Sequence, residues 1–372
     1  MKPNAWLFWG VTSIIAIIAV QSGRAQTFGP DFQADYTFVD LGGITGLPNN
    51  YGGLTFKYSD PDYILIGGAA NGAAGAVYQI GVTRDADNHV TGFVGTAERF
   101  ADAAYNDGGV VYGPDNVLFL ARWPVNELGQ TRLGSSATDR IVPLAPFGVE
   151  GSISSLNFVP LDYRAAGRMK IATWSGGQWS EVQLAPDGNG TFDVTSVTII
   201  PDSRLGGGPE GFIFVPLGSP AFVGEAMLVS EYSAGKVGAY EVDADGNPVV
   251  STRRDFLDGL SGAEGAVIDP LTGDFLFSTF GGGSRVIVVR GFENPCAGYL
   301  RGDSNGNNLV NNFDIDAFVL AIVDPVAYSA QYGAAALRCR NDLNNDATVD
   351  NFDIDLFVDC LSNTPPAGEA CP

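Results

Sequence analysis

The sequence predicts a mainly β chain, a β-propeller of five four-stranded blades, followed by a small α-helical module carrying two EF-hand-type calcium loops. Three observations predict it. Short apolar strands recur between Gly, Pro and Asp turns at intervals of about fifty residues. Near the C-terminus one twelve-residue pattern rich in Asp and Asn stands twice, at 303–314 (DSNGNNLVNNFD) and 342–353 (DLNNDATVDNFD), each time leading into an apolar segment. All four cysteines, Cys296, Cys339, Cys360 and Cys371, fall in that same final stretch.

The chain begins with Lys2, an apolar run at 5–20 and the small-residue stretch Ser22-Gly23-Arg24-Ala25. This order reads as a secretory signal peptide over residues 1–25, cleaved before Gln26. The run is short for a membrane span, and nothing later is apolar for long enough to cross a bilayer. The expected divisions are therefore 1–25 leader, 26–293 propeller and 294–372 calcium module, in a secreted protein acting outside the cell or at its surface. Loss of Lys2 and Arg24 takes the formal charge from −22 to −24. Nucleic acid and anionic membranes are excluded as partners by that charge. From Cys296 onward eleven Asp and Glu face three Arg, a net of −8, of which two calcium ions would cancel up to four.

Inner-strand candidates stand at 53–58 (GLTFKY), 109–113 (GVVYG), 155–160 (SLNFVP), 211–216 (GFIFVP) and 265–270 (GAVIDP), each starting 46 to 56 residues after the one before. Second strands follow at 63–67, 116–121, 169–173, 226–230 and 274–278. Third strands read clearly at 75–81, 178–184, 235–242 and 284–290 and less regularly at 127–133. Fourth strands are expected at 92–100, 139–142, 194–200 and 252–257. Such spacing matches four-stranded propeller blades. The fifth unit lacks a fourth strand, while 36–41 (YTFVDL) stands alone before the first; pairing the two closes the ring and removes both exposed edges. Six blades, with an irregular one within 121–154, is the alternative. A β-sandwich would not explain the repeat length.

Acidic residues precede the inner strands in Asn106-Asp107-Gly108, Val149-Glu150-Gly151, Pro209-Glu210-Gly211 and Ala263-Glu264-Gly265, with Asn49 and Asn50 in the first unit. Superposed blades would bring Asp107, Glu150, Glu210 and Glu264 to one mouth of the channel, to bind a cation or to form an acid and base pair. Acid before Gly is also ordinary turn chemistry at a blade entry. Pro-Glu-Gly resembles the blade entry of six-bladed lactonase-like propellers, in which a Glu holds a metal. No catalytic residue is assigned: His89 sits in an expected hairpin tip as a solvated turn residue, and no Gly-x-Ser-x-Gly elbow appears. Trp123, Trp174, Trp179, Tyr232 and Phe280 suit either sugar stacking at a propeller face or wedge filling between blades.

The doubled loop agrees at ten of seventeen positions counted from Asp303 and Asp342. Calcium takes six to eight oxygens, which an EF-hand-type loop supplies from positions 1, 3, 5, 7, 9 and 12. Here these are Asp303, Asn305, Asn307, Leu309 (by its carbonyl), Asn311 and Asp314, and then Asp342, Asn344, Asp346, Thr348 (by its carbonyl), Asp350 and Asp353. Position 6, where the backbone turns through positive φ, is Asn308 in one copy and Ala347 in the other; Asn tolerates that region and Ala strains in it.

Asp at position twelve, no clear entering helix and two loops in tandem resemble the dockerin type I module, closest to a variant that opens near Asn294-Pro295-Cys296 and ends in Cys371-Pro372. The resemblance implies one helix after each loop, packing about a pseudo-twofold axis, and a cohesin-like partner read by loop positions 10 and 11, here Asn312-Phe313 and Asn351-Phe352. An even cysteine count in an exported chain reads as disulfides. Three connectivities are open; the expected one joins Cys296 to Cys371 and Cys339 to Cys360. Zinc is disfavoured because His89 is the one histidine.

The functional expectation is a secreted calcium-binding protein whose dockerin-like tail docks or anchors a propeller binding domain, with glycan as ligand, to an extracellular or cell-surface partner. The alternative is a dockerin-bearing hydrolase of extracellular polysaccharide working through the acids at the propeller mouth.

Overall fold

The computed structural model describes residues 26–294, 296–344, 348–363 and 365–371. The leader, Pro295, Asp346, Ala347 and Pro372 lie outside them. Two strands, β1 (Thr27–Phe28) and β2 (Thr37–Gly42), come first. Blade one is β3 (Leu54–Lys57), β4 (Asp60–Gly68), β5 (Ala76–Arg84) and β6 (Val90–Asp102). Blade two is β7 (Asn106–Tyr112), β8 (Leu118–Arg122), β9 (Glu127–Thr131) and β10 (Arg140–Pro143). Blade three is β11 (Ile153–Phe158), β12 (Met169–Thr173), β13 (Trp179–Pro186) and β14 (Phe192–Ile199). Blade four is β15 (Pro209–Phe214), β16 (Ala226–Glu231), β17 (Lys236–Val242) and β18 (Pro248–Asp258). The last blade holds β19 (Ala263–Ile268), β20 (Phe275–Thr279) and β21 (Val286–Arg290).

The architecture is thus a five-bladed propeller. The stretch 121–154, open as an extra blade on sequence, is instead the short outer half of blade two and the connection to blade three. Second strands such as Leu118-Phe119-Leu120-Ala121 are buried throughout because blades stack on both their faces. The outer strand β6 is largely exposed.

Closure runs through the N-terminal segment. β2 pairs antiparallel with β21, from Thr37 opposite Arg290 to Gly42 opposite Val286, and completes the last blade as expected. The seam is filled by aromatics: Phe28, Phe32, Tyr36, Phe222, Phe256, Phe275 and Phe292 share one core cluster, with Phe275 and Phe292 stacked at 3.7 Å. Each fully buried ring contributes about 1.5 to 3 kcal/mol, which holds a junction between residues far apart in sequence. β1 was not foreseen; it adds a fifth strand to blade four, beside β18.

In blades two to five the inner strands begin two or three residues earlier than the sequence suggests, so that Asp107, Glu210 and Glu264 lie inside them. Each sits at a register irregularity, between Asn106 and Val110, between Pro209 and Phe212, and between Ala263 and Ala266. The glycine after each acid answers to close approach of backbones at the axis. A Cβ on Gly211 would lie 2.5 Å from the Glu264 carbonyl oxygen, one on Gly265 2.5 Å from Gly53 Cα, and one on Gly108 2.7 Å from Gly211 N. A tight five-membered ring needs that proximity, and only glycine permits it.

The tail forms α1 (Ile315–Val323), α2 (Pro325–Tyr332), α3 (Ala334–Asn341) and α4 (Asp353–Ser362). The entering helix missing from the sequence reading exists before the second loop, as α3. Repeat-equivalent Phe318 and Phe357 stack at 3.9 Å in the tail's core. The disulfides are Cys296–Cys339 and Cys360–Cys371, which corrects the expected pairing. The reason is local: α3 faces the chain entry at Cys296, and the segment after α4 folds straight back, where Cys371 N donates to Arg301 O at 2.9 Å.

The tail packs over the channel end reached by the C-termini of the inner strands. Ser59 N donates to Asn344 O at 2.9 Å, and Asn344 Nδ2 donates to Tyr58 Oη at 3.3 Å and to Asn116 Oδ1 at 3.4 Å. Beneath it lies a mainly apolar cavity of about 190 Å³, lined by Phe56, Tyr112, Phe158, Phe214 and Ile268 and, from the tail, by Arg338 and Thr348. The acids stand at the other end. Among the described residues no helix is long and apolar enough to cross a membrane.

Candidate ligand site at the propeller mouth

Asp107 of β7, Glu210 of β15 and Glu264 of β19 converge on the axis, each with a carboxylate oxygen within 4.8 Å of those of the other two. All three are buried, at 0%, 4% and 1% exposure. Burial pushes the Asp107 carboxyl up to about 7. Burial, and then the charge of Asp107, raises Glu210 and Glu264 well above the ordinary range. Asp107 Oδ2, Glu210 Oε2 and both Glu264 oxygens have no hydrogen-bond partner among the described residues. One polar neighbour reaches in: with its amide turned to suit both contacts, Asn71 donates to Asp107 Oδ1 at 2.7 Å and to Asn106 O at 3.2 Å.

Glu150 does not join them. Its side chain is 75% exposed and lies 3.5 Å from Arg204. It precedes β11, and the Gly151 that follows is a true turn residue at φ 74°, whereas the glycines after the three channel acids are extended. Blade three instead offers buried Ser154, whose hydroxyl donates to Pro209 O at 2.6 Å.

Around the acids runs a line of rings. In four blades the residue just after the second strand is aromatic: Trp123, Trp174, Tyr232 and Phe280. Each backbone N–H donates to the entry of its own inner strand, at Tyr105 O, Ser152 O, Gly208 O and Gly262 O, and Ala69 occupies the equivalent place in blade one through Asn49 O. Adjacent rings meet edge to face, Trp123–Trp174 at 6.0 Å, Trp174–Tyr232 at 6.4 Å and Tyr232–Phe280 at 5.9 Å. All four are half-buried. Burial raises the Tyr232 hydroxyl, and the charge of the three acids adds to it. Trp179 is different: fully buried, it donates to Asn247 Oδ1 and packs on Phe212 as a wedge residue. Asn71 and the ordered ring were missed on sequence, although the shared position after each second strand was there to be aligned. His89 is more than a solvated turn, since its Nδ1 lies 2.6 Å from Asp274 Oδ2 in blade five.

In the first tail loop the side-chain oxygens turn inward onto the loop's own backbone. Asp303 accepts from Asn307 N and Asn308 N, Asp314 from Asn305 N and Asn311 N, Asn305 from Asn307 N, and Asn307 from Leu309 N. Asn308 adopts φ 63°, as position 6 demands. Burial and the charge of Asp303 raise Asp314. In the second loop Asp353 accepts from Leu343 N, Asn344 N and Asp350 N, while Asp342 and Asn344 are buried and Thr348 faces the cavity. Phe313 is 76% exposed beside Asn312, whereas Phe352 is half-buried beside the exposed Asn351.

No protein-family model matches the chain, and no curated protein matches it. Similar solved structures include an auxiliary nutrient binding protein from Bacteroides ovatus, at TM-score 0.40 and 10% identity over 70% of this chain and 77% of that one. Another is the PQQ domain of pyranose dehydrogenase from Coprinopsis cinerea, at TM-score 0.39 and 10% identity over 72% and 97%. A third is the PQQ-bound aldose sugar dehydrogenase from Streptomyces coelicolor, at TM-score 0.35 and 12% identity over 67% and 83%.

Proposed function

We propose that this is an exported binding protein. Its propeller mouth takes a polyhydroxylated ligand of the sugar class, and its calcium-loaded tail docks it, as dockerin-like modules do, to a cohesin-like partner outside the cell. The observation that carries the ligand reading is the ring line Trp123, Trp174, Tyr232 and Phe280 above buried acids. Half-buried rings give sugar C–H faces a surface to stack on, and carboxylates beneath accept from hydroxyls. Spacing speaks against an inverting hydrolase: the three acids offer oxygens within 4.8 Å of one another, whereas an inverting pair stands about 6.5 to 9.5 Å apart to admit a water. A retaining pair, at about 5 to 5.5 Å, is the second reading, and glycan cleavage lost in Glu264→Gln would establish it. Titration with neutral oligosaccharides should give a saturable signal in tryptophan fluorescence, lost in Trp174→Ala and Phe280→Ala; silence across a broad panel of sugars sinks the ligand reading.

For the tail, Asp303, Asn305, Asn307, Leu309, Asn311 and Asp314 would hold one calcium ion, and Asp342, Asn344, Asp346, Thr348, Asp350 and Asp353 a second. The inward side-chain oxygens of the first loop fit that use, each keeping a lone pair beyond the backbone N–H it accepts. Bound calcium would supply charge neutralisation between buried carboxylates. The exposed Phe313 beside Asn312 suits a partner surface, which Phe313→Ala tests in a pull-down with a cohesin domain.

A further inference from the structure

We infer that Asp107, Glu210 and Glu264 hold one divalent cation on the floor of the propeller mouth, a site separate from the two tail loops. Four features of the structure carry it. The first is span: two oxygens on one calcium ion, with bonds of about 2.3 to 2.6 Å, stand no more than about 5.2 Å apart. The three carboxylates offer oxygens within 4.8 Å of one another.

The second is want of partners. Asp107 Oδ2, Glu210 Oε2 and both Glu264 oxygens are buried and receive no donor among the described residues. Buried polar atoms are otherwise satisfied, and buried charges are paired or bind metal. The third is contrast with other buried acids of this chain. Glu231 takes Arg253 and the Tyr240 hydroxyl, and Asp269 takes Arg84, whereas no Lys or Arg bridges the channel acids among the described residues. The fourth is rigidity. The acids ride on bulged inner strands locked by glycine contacts across the axis, and Asn71 orients Asp107 from behind, as outer partners of metal ligands do.

An all-oxygen donor set of this kind selects a hard cation, calcium first. Three carboxylates and one divalent ion leave a single negative charge, so neutral hydroxyls, not carboxylates or phosphates, complete the shell. This last step rests on the sugar reading above and narrows it to neutral polyols; the cation itself does not depend on it.

The test counts ions on the full chain. Calcium titration by calorimetry and native mass spectrometry should give three ions for the parent, one for Asp303→Ala with Asp342→Ala, and two for Glu210→Gln with Glu264→Gln. Because the Gln pair neutralises without changing shape, near-ultraviolet circular dichroism should be retained. As a second variant, Asn71→Ala should weaken the channel site by about tenfold and leave the loop sites alone. Terbium added to the loop double variant should luminesce on excitation of the mouth tryptophans, and calcium should quench it. A folded Gln pair that keeps the parent's stoichiometry overturns the site, as does a loop double variant that is folded and takes up no calcium, magnesium, manganese or terbium. Metal bound without any sugar binding would leave this site standing and remove the ligand reading; sugar bound with no third ion would do the reverse.

Discussion

The channel and the first tail loop each bury carboxylates, and they differ in what faces those oxygens. In the loop, successive backbone N–H groups turn inward, so Asp303 and Asp314 accept four of them. In the channel the backbone is bulged strand that turns few N–H groups toward the acids, and four carboxylate oxygens receive no donor among the described residues. Glu231 is a third case, buried at 1% exposure yet held by Arg253 and Tyr240. Burial alone therefore says little about an acid; the donors that the local backbone can spare decide whether it stands by itself or waits for a guest.

The paired case should break hardest. Arg253→Ala strands Glu231 without its counterion, and losing one partner of a buried pair costs about 3 to 5 kcal/mol. The expected loss is at the lower end, about 3 kcal/mol by urea denaturation, because Arg253 is itself 34% exposed; a loss below about 0.5 kcal/mol would erase the distinction between paired and unpaired acids. Calcium comes next. At about a hundredfold excess over the dissociation constant each bound ion stabilises its own element by about 2.7 kcal/mol. Chelation should lower the thermal midpoint, and Asp303→Ala with Asp342→Ala should remove the tail's share of that response.

Much of this contrast could be read before folding was considered, and the part that could not has physical causes. The fifty-residue period and the orphan strand at 36–41 announced five blades and their closure, because an unpaired edge must go somewhere. Acid-Gly dipeptides marked Asp107, Glu210 and Glu264, and Asn308 marked a positive φ in the first loop. Glu150 misled because Glu-Gly serves two ends: a strand glycine that admits a neighbouring backbone, and a turn glycine such as Gly151. The two are identical on paper. Disulfide pairing was illegible for a related reason, since it depends on which helix faces the chain entry and not on spacing. The covering of the far channel mouth by the tail rests on single contacts such as Asn344 with Tyr58 and Asn116, which leave no periodic trace.

A smaller effect sharpens the channel side. In chelated protein Glu264→Gln removes a group that folding must keep uncharged, so the unfolding free energy should rise, by about 1 kcal/mol. The equivalent change in the loop, Asp303→Asn, should lower it, since an acceptor of two N–H groups becomes a half-donor. Both variants shifting the same way would mean that the two sets of acids are not distinct.

The smallest expected effect concerns a turn carboxylate away from any metal-binding loop. Asp187, at the tip between β13 and β14, is held at about 2 by the Thr191 hydroxyl, by the N–H groups of Asn189 and Thr191, and by the Arg140 guanidinium at 2.9 Å. Its pKa is lower folded than the roughly 3.9 of the unfolded chain. The contribution is therefore whole above about pH 4 and disappears as pH falls through about 2. Asp187→Asn should cost stability at pH 6, and the gap to the parent should close as acid is added through that window. A gap that stays constant from pH 6 to pH 2 would mean that neither the turn donors nor Arg140 hold this carboxylate down. Arg140→Gln, which should leave most of the gap in place, separates the two, and a gap abolished by Arg140→Gln would sink the donor explanation of the loop acids.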